Sequence, residues 1–146
     1  GLTDYTVEIG KAKVVREGTD VTVISYSRML PLCKQIADEV AAAEGISAEV
    51  IDLRTIYPVD MDTIAASLKK TGRVLVVNED TEVTNYGEHL IRKLIDKCFY
   101  HLEAPPTLLA GADVPGIGLS PLLEDASVPQ PGEIRAKIVE LARVQA

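Results

Sequence analysis

The chain predicts an α/β fold in which a mainly parallel sheet is covered by helices on both faces. Three observations carry that expectation. Short apolar runs alternate with helical periodicities from residue 12 almost to the last residue. Two of the runs, Val21–Tyr26 (VTVISY) and Arg73–Val77 (RVLVV), are nearly continuous in β-branched and aliphatic residues, as strands buried on both faces are. Helical stretches between runs stop on glycines that can take a left-handed backbone, Gly45 and Gly72.

Taken in order, Ala12–Glu17 (AKVVRE) is a short strand closed by Gly18, and Val21–Tyr26 is the first buried strand. Pro31 suits the first turn of the following helix, where its missing N–H would lack a partner anyway. Leu32, Ile36, Val40 and Ala43 give that helix an apolar stripe. Ala48–Leu53 is the second buried strand. Asp60 is placed to cap the next helix, with Met61, Ile64, Ala65 and Leu68 facing inward and Lys69 and Lys70 at its negative end. Arg73–Val77 is the third buried strand, and Asn78–Asn85 reads as an acidic, polar turn. Gly87 leads into a helix carrying Leu90, Ile91, Leu94, Ile95 and Cys98, which Pro105-Pro106 ends. Thr107–Ala110 is a fourth core strand. Gly111–Pro131, rich in proline and glycine, is expected to be a long irregular excursion, and long loops in compact domains are usually functional or partner-bound. The last helix starts near Pro131 and runs to the end on Ile134, Ile138, Leu141 and Ala142.

Composition narrows the function. The length suits a single domain spanning residues 1–146, and 47% hydrophobic content supplies a full core, which must be aliphatic because the aromatics are five tyrosines and one phenylalanine. A net charge of −7, with fifteen basic residues scattered rather than clustered, argues against nucleic acid as a partner. No apolar stretch approaches the roughly 20 residues of a membrane span, so no membrane partner is expected, and the start GLTDYTVEIGK does not read as a signal peptide. Cys33 and Cys98 fit no zinc or redox spacing and are expected to be reduced, buried thiols.

Several candidate sites can be weighed on residue type. Asp52 ends a strand where a dinucleotide fold keeps its ribose-binding acid. The first buried strand, however, is followed by Ser27-Arg28-Met29-Leu30-Pro31 rather than a glycine turn, and Gly116-Ile117-Gly118 lies in the late loop, so nucleotide binding is not expected. Glu79, Asp80 and Glu82 could ligate a hard cation, yet lack the spacing of a calcium loop and read as solvated. His89 and His101 have no serine or cysteine motif beside them and read as a helix-surface and a helix-end residue. Arg54 is sharper: flanked by Asp52 and Thr55 at a strand end, its guanidinium suits either a carboxylate of another subunit or an ion pair within the domain. No catalytic, cofactor-binding or metal-ligating residue is assigned; the expectation is a domain that contacts other protein.

Six blocks in order, GKAKVVREGTDVTVISYSR, AEVIDLRTIYPVD, KKTGRVLVVNED, HLEAP, GADVP and LEDASVPQPGEI, resemble the C-terminal domain of the beta subunit of 2-oxoacid dehydrogenase decarboxylating components. These are the thiamine-diphosphate enzymes of the pyruvate and branched-chain 2-oxoacid complexes; the resemblance runs from Ile9 onward and, more distantly, extends to transketolases. It implies a three-layer α/β/α sandwich with a five-stranded sheet, in which Ala12–Glu17 is one antiparallel edge strand, and it implies that residues 1–9 are a linker from an upstream thiamine-binding domain. In that family thiamine diphosphate and Mg²⁺ lie between the alpha subunit and the preceding beta domain. This chain lacks the GDG…N fingerprint, so it is expected to bind neither by itself and to turn nothing over alone. The L-[DE]-A-P turn of the family pairs with a basic residue of the acyltransferase component's peripheral subunit-binding domain, which places that role on Glu103; Asp113 and Pro115 fall in a segment resembling its subunit contacts.

Two departures stand out: Thr84-Asn85-Tyr86-Gly87 replaces a Gly-Gly-aromatic-Gly entry, and Gly116-Ile117-Gly118-Leu119 follows GADVP in place of a Pro-aromatic pair. VVNED and the Cys98-Phe99…Leu102-Glu103-Ala104-Pro105 run lean towards branched-chain or fused alpha–beta enzymes, RTIYPVDMDTI and LEDASVPQ towards pyruvate. The functional expectation is a subunit-assembly and acyltransferase-docking domain, partnered with beta and alpha subunits and working in a bacterial cytoplasm, the mitochondrial matrix and plastid being the other homes of such enzymes. The alternatives are the equivalent domain of a transketolase or deoxyxylulose-phosphate synthase, and a free-standing binding module of the same fold.

Overall fold

In the computed structural model, which describes residues 4–145, five strands form one sheet between two layers of helices. Along the chain these are β1 (Lys13–Arg16), β2 (Val21–Ser25), α1 (Met29–Glu44), β3 (Ala48–Asp52), α2 (Met61–Thr71), β4 (Val74–Thr81), α3 (Tyr86–Cys98), a 3-10 turn (Phe99–His101), β5 (Thr107–Gly111), α4 (Pro121–Asp125) and α5 (Pro131–Ala142). The sheet order is β1-β3-β2-β4-β5, with β1 antiparallel to β3 and every other pair parallel. The expected antiparallel edge strand is therefore β1.

Strand alternation sorts the core onto two faces. Val21, Val23, Val50, Leu75 and Val77 point to α1 and α5, where Cys33, Ile36, Val40, Ile134 and Ile138 meet them. Ile24, Val74 and Val76 point the other way, onto Ile64 and Leu68 of α2 and Leu90 and Leu94 of α3. Thr22 shares this second face, and its hydroxyl is satisfied by Ser67 at 2.6 Å and Thr71 at 2.7 Å.

Helix ends follow their sequence signals. Gly45 (φ 70°) and Gly72 (φ 66°) close α1 and α2 in left-handed conformations. The Asp60 carboxylate accepts from the Thr63 amide at 3.1 Å and also from Ala12 N. Burial by itself would raise its pKa, but the bonds from Thr63 and Ala12 hold it below the ordinary aspartate value.

Four expectations need correction. Asn78–Thr81 belongs to β4 rather than to a turn: Asn78 and Asn85 exchange amide hydrogen bonds of 2.6 and 2.7 Å, and Asn85 also donates to the Asp80 and Thr81 carbonyls. The Gly111–Pro131 stretch contains α4, started by Ser120 accepting from Leu123 N and by Pro121 in the first turn. Ala43 is exposed, and the buried stripe of α1 is Met29, Cys33, Ile36, Ala37 and Val40. The last helix stops at Ala142 instead of reaching the end.

Candidate partner-binding surfaces at the two ends of the sheet

Parallel strands give the sheet a carboxyl end and an amino end, and the candidate residues divide between them. Arg54, Asp113 and Pro115 lie at the carboxyl end; Glu103 lies at the amino end, beside the start of β4. Arg54 and Asp113 follow β3 and β5, three strand positions apart, so about 14 Å of sheet separates them.

Arg54 has a left-handed backbone (φ 55°), which is uncommon for a residue other than glycine. Its amide donates to Asp52 Oδ1 at 3.0 Å, and its Nε stands 3.9 Å from Asp52 Oδ2, so the internal partner is present while the guanidinium stays partly exposed. Tyr86 holds the turn by donating its hydroxyl to the Ile56 carbonyl at 2.7 Å, and Gly10 N donates to Thr55 Oγ1 at 3.0 Å. Because β1 runs antiparallel, the stretch before it also leaves the fold at this carboxyl end.

Around these residues the carboxyl end is apolar and open. Tyr57 is 92% exposed, Leu122 84%, and Leu119 wholly so; Ile56, Val83, Ile117 and Leu123 are exposed beside them. Arg28 joins Glu124 of α4 to Glu79 of β4, bracing the late loop over the strand ends. Asp113 and Pro115 are exposed on that loop.

The amino end is braced from within. Glu103 donates its amide to the Gly72 carbonyl at 2.8 Å, and its carboxylate pairs with Arg73 Nη1 at 2.8 Å. Arg73, mostly buried, also donates to the Val144 carbonyl at 3.1 Å, tying the tail of α5 to the same point. A Cβ on Gly72 would come within 2.7 Å of the Glu103 side chain, so glycine there serves both the turn and the approach. Half of the Glu103 side chain remains exposed, at the edge of a shallow apolar groove with Phe99, Tyr100, Pro105 and Pro106. Phe99 and Tyr100 pack edge to face at 5.3 Å, both exposed. Nearby, Glu49 is buried and paired with Lys70. Burial penalises its charge, but Lys70, Ser67 and the Gly18 amide together hold its pKa below the ordinary value, and the bond to Glu49 raises that of Lys70.

The remaining candidates settle into plain roles. Among the described residues no group of three or more His, Cys, Asp or Glu could hold a metal; Glu79 faces Arg28, and Asp80 bonds the next amide. His89 and His101 are exposed, the first beside the Tyr86 ring at 5.8 Å. Cys33 and Cys98 are buried and unbridged, and burial pushes the Cys33 thiol up to about 11. Residue-type reasoning missed the Arg73 clamp and the exposed leucines of α4. The pair Ser120-Pro121, a capping residue followed by a first-turn proline, is the signal that could have found that helix.

Comparison with other proteins fixes the lineage. The transketolase C-terminal domain matches residues 10–134. The chain belongs to that family. It is 40% identical over 139 residues to the 2-oxoisovalerate dehydrogenase subunit beta of Bacillus subtilis, covering 95% of this chain and 42% of that protein. It is 42% identical over 143 residues to the pyruvate dehydrogenase E1 component subunit beta of Acholeplasma laidlawii (97% and 42%), and 47% over 112 residues to the mitochondrial E1 subunit beta of Dictyostelium discoideum (77% and 31%). The chain thus spans about two fifths or less of the length of these relatives, which are bacterial and mitochondrial. A split-gene transketolase, solved as an inactive beta4 tetramer, shares the transketolase-C fold at a TM-score of 0.83 and 22% identity, over 97% of this chain and 45% of that one. No helix among the described residues is long and apolar enough to cross a membrane.

Proposed function

We propose that this transketolase-C domain is the assembly and docking domain of a thiamine-dependent 2-oxoacid dehydrogenase, acting within the beta subunit of its decarboxylating component. The parent reaction would decarboxylate a 2-oxoacid oxidatively and pass the acyl group to a lipoyl-lysine. The observation that carries the reading is end-to-end similarity at 40–42% to beta subunits of both 2-oxoisovalerate and pyruvate dehydrogenases.

The carboxyl end is the assembly face in this reading. Its exposed Tyr57, Leu119 and Leu122 offer the aromatic and aliphatic anchors that protein interfaces bury. Arg54, Asp113 and Pro115 would contact alpha and beta subunits there, and residues 1–9 would link to an upstream thiamine-binding domain; residues 1–3 lie outside the described residues. The described residues do not fit thiamine diphosphate. The turns after β2, β3 and β4 carry no glycine that would let the backbone close on a diphosphate, and Arg28, the guanidinium over the strand ends, is already paired with Glu79 and Glu124. The coenzyme and its Mg²⁺ therefore belong elsewhere in the parent enzyme, and the purified chain should decarboxylate no 2-oxoacid when both are supplied. The working compartment would be a bacterial cytoplasm, or the mitochondrial matrix of a eukaryote.

The amino end is the docking face for the acyltransferase's peripheral subunit-binding domain. Glu103 presents a half-exposed carboxylate on a turn fixed by Gly72, Arg73 and Pro105, with two aromatic rings alongside. A carboxylate so placed steers a basic domain and raises its association rate. The test is Glu103→Lys in the full enzyme. Affinity for the binding domain should fall by about tenfold or more, with a weaker salt dependence; unchanged affinity and salt dependence would retire the assignment.

A further inference from the structure

The sheet has two outer strands, and only one carries charge against further pairing. β1 carries Lys13 and Arg16, and its register with β3 shifts between Val14 and Arg16; charge and irregularity are the devices by which natural edges refuse another strand. β5 reads TLLAG, without charge; its pairing with β4 is regular from Thr107 to Leu109 and shifts only before Gly111. Among the described residues, the backbone of Thr107–Ala110 makes no hydrogen bond outside the sheet ladder. An edge strand of this kind turns a row of N–H and C=O groups outward.

That edge is grooved along its side and at its end. Beside the strand Leu108 lines an apolar furrow with Ile91 and Ile95 of α3, while the end of the strand, Ala110–Ala112, opens onto Val128 and the start of α5. The rims are acidic, with Glu82 and Glu88 on the first furrow and Asp125 on the second. Arg92, which also lines the first furrow, is already paired with Asp96.

We propose that the free edge of β5 is a docking groove for an extended, basic segment of another protein, which adds to the sheet as a sixth strand. Backbone bonds would supply the register and the furrows would take alternate apolar side chains, while basic residues between them meet the acidic rims. The charge selects this occupant over a second copy of the chain, whose own acidic rim would be brought against this one. The inference rests on the β5 edge, its furrows and their acidic rims, and does not use the role given to Glu103.

The test uses the whole chain and a fluorescein-labelled peptide alternating lysine and valine. Two controls accompany it: a glutamate–valine peptide, and the lysine peptide methylated at every second amide nitrogen. The lysine peptide should bind at least about tenfold more tightly than either control, and should slow amide exchange at Thr107–Ala110. The Glu82→Lys/Glu88→Lys chain should lose about tenfold in that affinity. Equal binding of the methylated peptide would reduce the effect to surface charge and overturn the proposal. So would an absence of binding, or edge protection that grows with chain concentration alongside a dimer mass, which would give the edge to a second copy.

Discussion

The two ends of this sheet are built on opposite plans. At the amino end, polar and charged side chains spend their bonds on one another: Arg73 clamps Glu103 and the tail of α5, and Lys70 satisfies the buried Glu49. At the carboxyl end, large apolar side chains such as Tyr57, Leu119 and Leu122 stand in solvent and make little use of their surface. The amino end is braced within the domain, and what it leaves exposed beside that bracing is the half-exposed Glu103 carboxylate with the Phe99 and Tyr100 rings. The carboxyl end leaves apolar surface in water, and in the proposed function a neighbouring subunit covers it. Substitutions at the first should therefore register as stability, and at the second as assembly.

The largest expected effect breaks the comparison at the open end. Tyr57→Ser, Leu119→Ser and Leu122→Ser together should weaken association with the remaining parts of the parent enzyme by about a hundredfold or more, read by analytical ultracentrifugation. The same triple variant should alter unfolding of the chain by only about 0.5 kcal/mol in a denaturant titration. A large stability loss would show that these side chains already serve the fold.

At the braced end the order reverses. Lys70→Met leaves Glu49 buried without its cation and should cost about 2 kcal/mol at pH 7, with assembly unchanged. The sign with pH is specific. In the parent chain Glu49 has a depressed pKa, so its contribution is present above the unfolded glutamate value near 4.3 and is lost as pH falls below it. Without Lys70 the burial that opposes its charge prevails and the pKa rises, so the deficit of the variant should shrink as the solution is acidified from pH 7 towards 4. Parallel stability curves from pH 7 to 4 would contradict this.

Gly72→Ala tests whether the clamp and the docking carboxylate are one device. The left-handed backbone and the clash with Glu103 should cost about 1.5 kcal/mol, and docking should weaken in the same variant. The smallest effect is Asp60→Ala, which removes the α2 cap and should cost about 1 kcal/mol by thermal unfolding at pH 7. That cost should diminish as pH falls below the unfolded aspartate value near 3.9, because the depressed pKa makes the Asp60 contribution one that acid removes.

Much of the layered core was legible because its residues carry signals that tertiary contacts do not overrule. Val21–Tyr26 and Ala48–Leu53 read as buried strands, each one residue longer than the strand that forms, and Asp60, Gly45 and Gly72 each announce a helix end by chemistry that depends on neighbours in sequence. The extension of β4 was hidden because asparagine and aspartate are poor strand formers; what holds Asn78–Thr81 in the sheet is a side-chain pair to Asn85 that no local pattern reveals. The same limit applied at the surfaces. Sequence order placed Glu103 on a proline-bounded turn but could not show that Arg73 reaches it, nor that Arg54, Asp113 and Pro115 share the end opposite to it. Those relations depend on strand order, which brings together residues far apart in the chain.

Hydrogen exchange on the chain, free and then assembled into the parent decarboxylating component, tests the division most directly. Assembly should slow exchange at residues 54–58 and 113–123 and leave residues 99–106 as in the free chain, until the acyltransferase's subunit-binding domain is added and protects them. Protection of residues 99–106 on assembly, with 54–58 and 113–123 unchanged, would contradict the account.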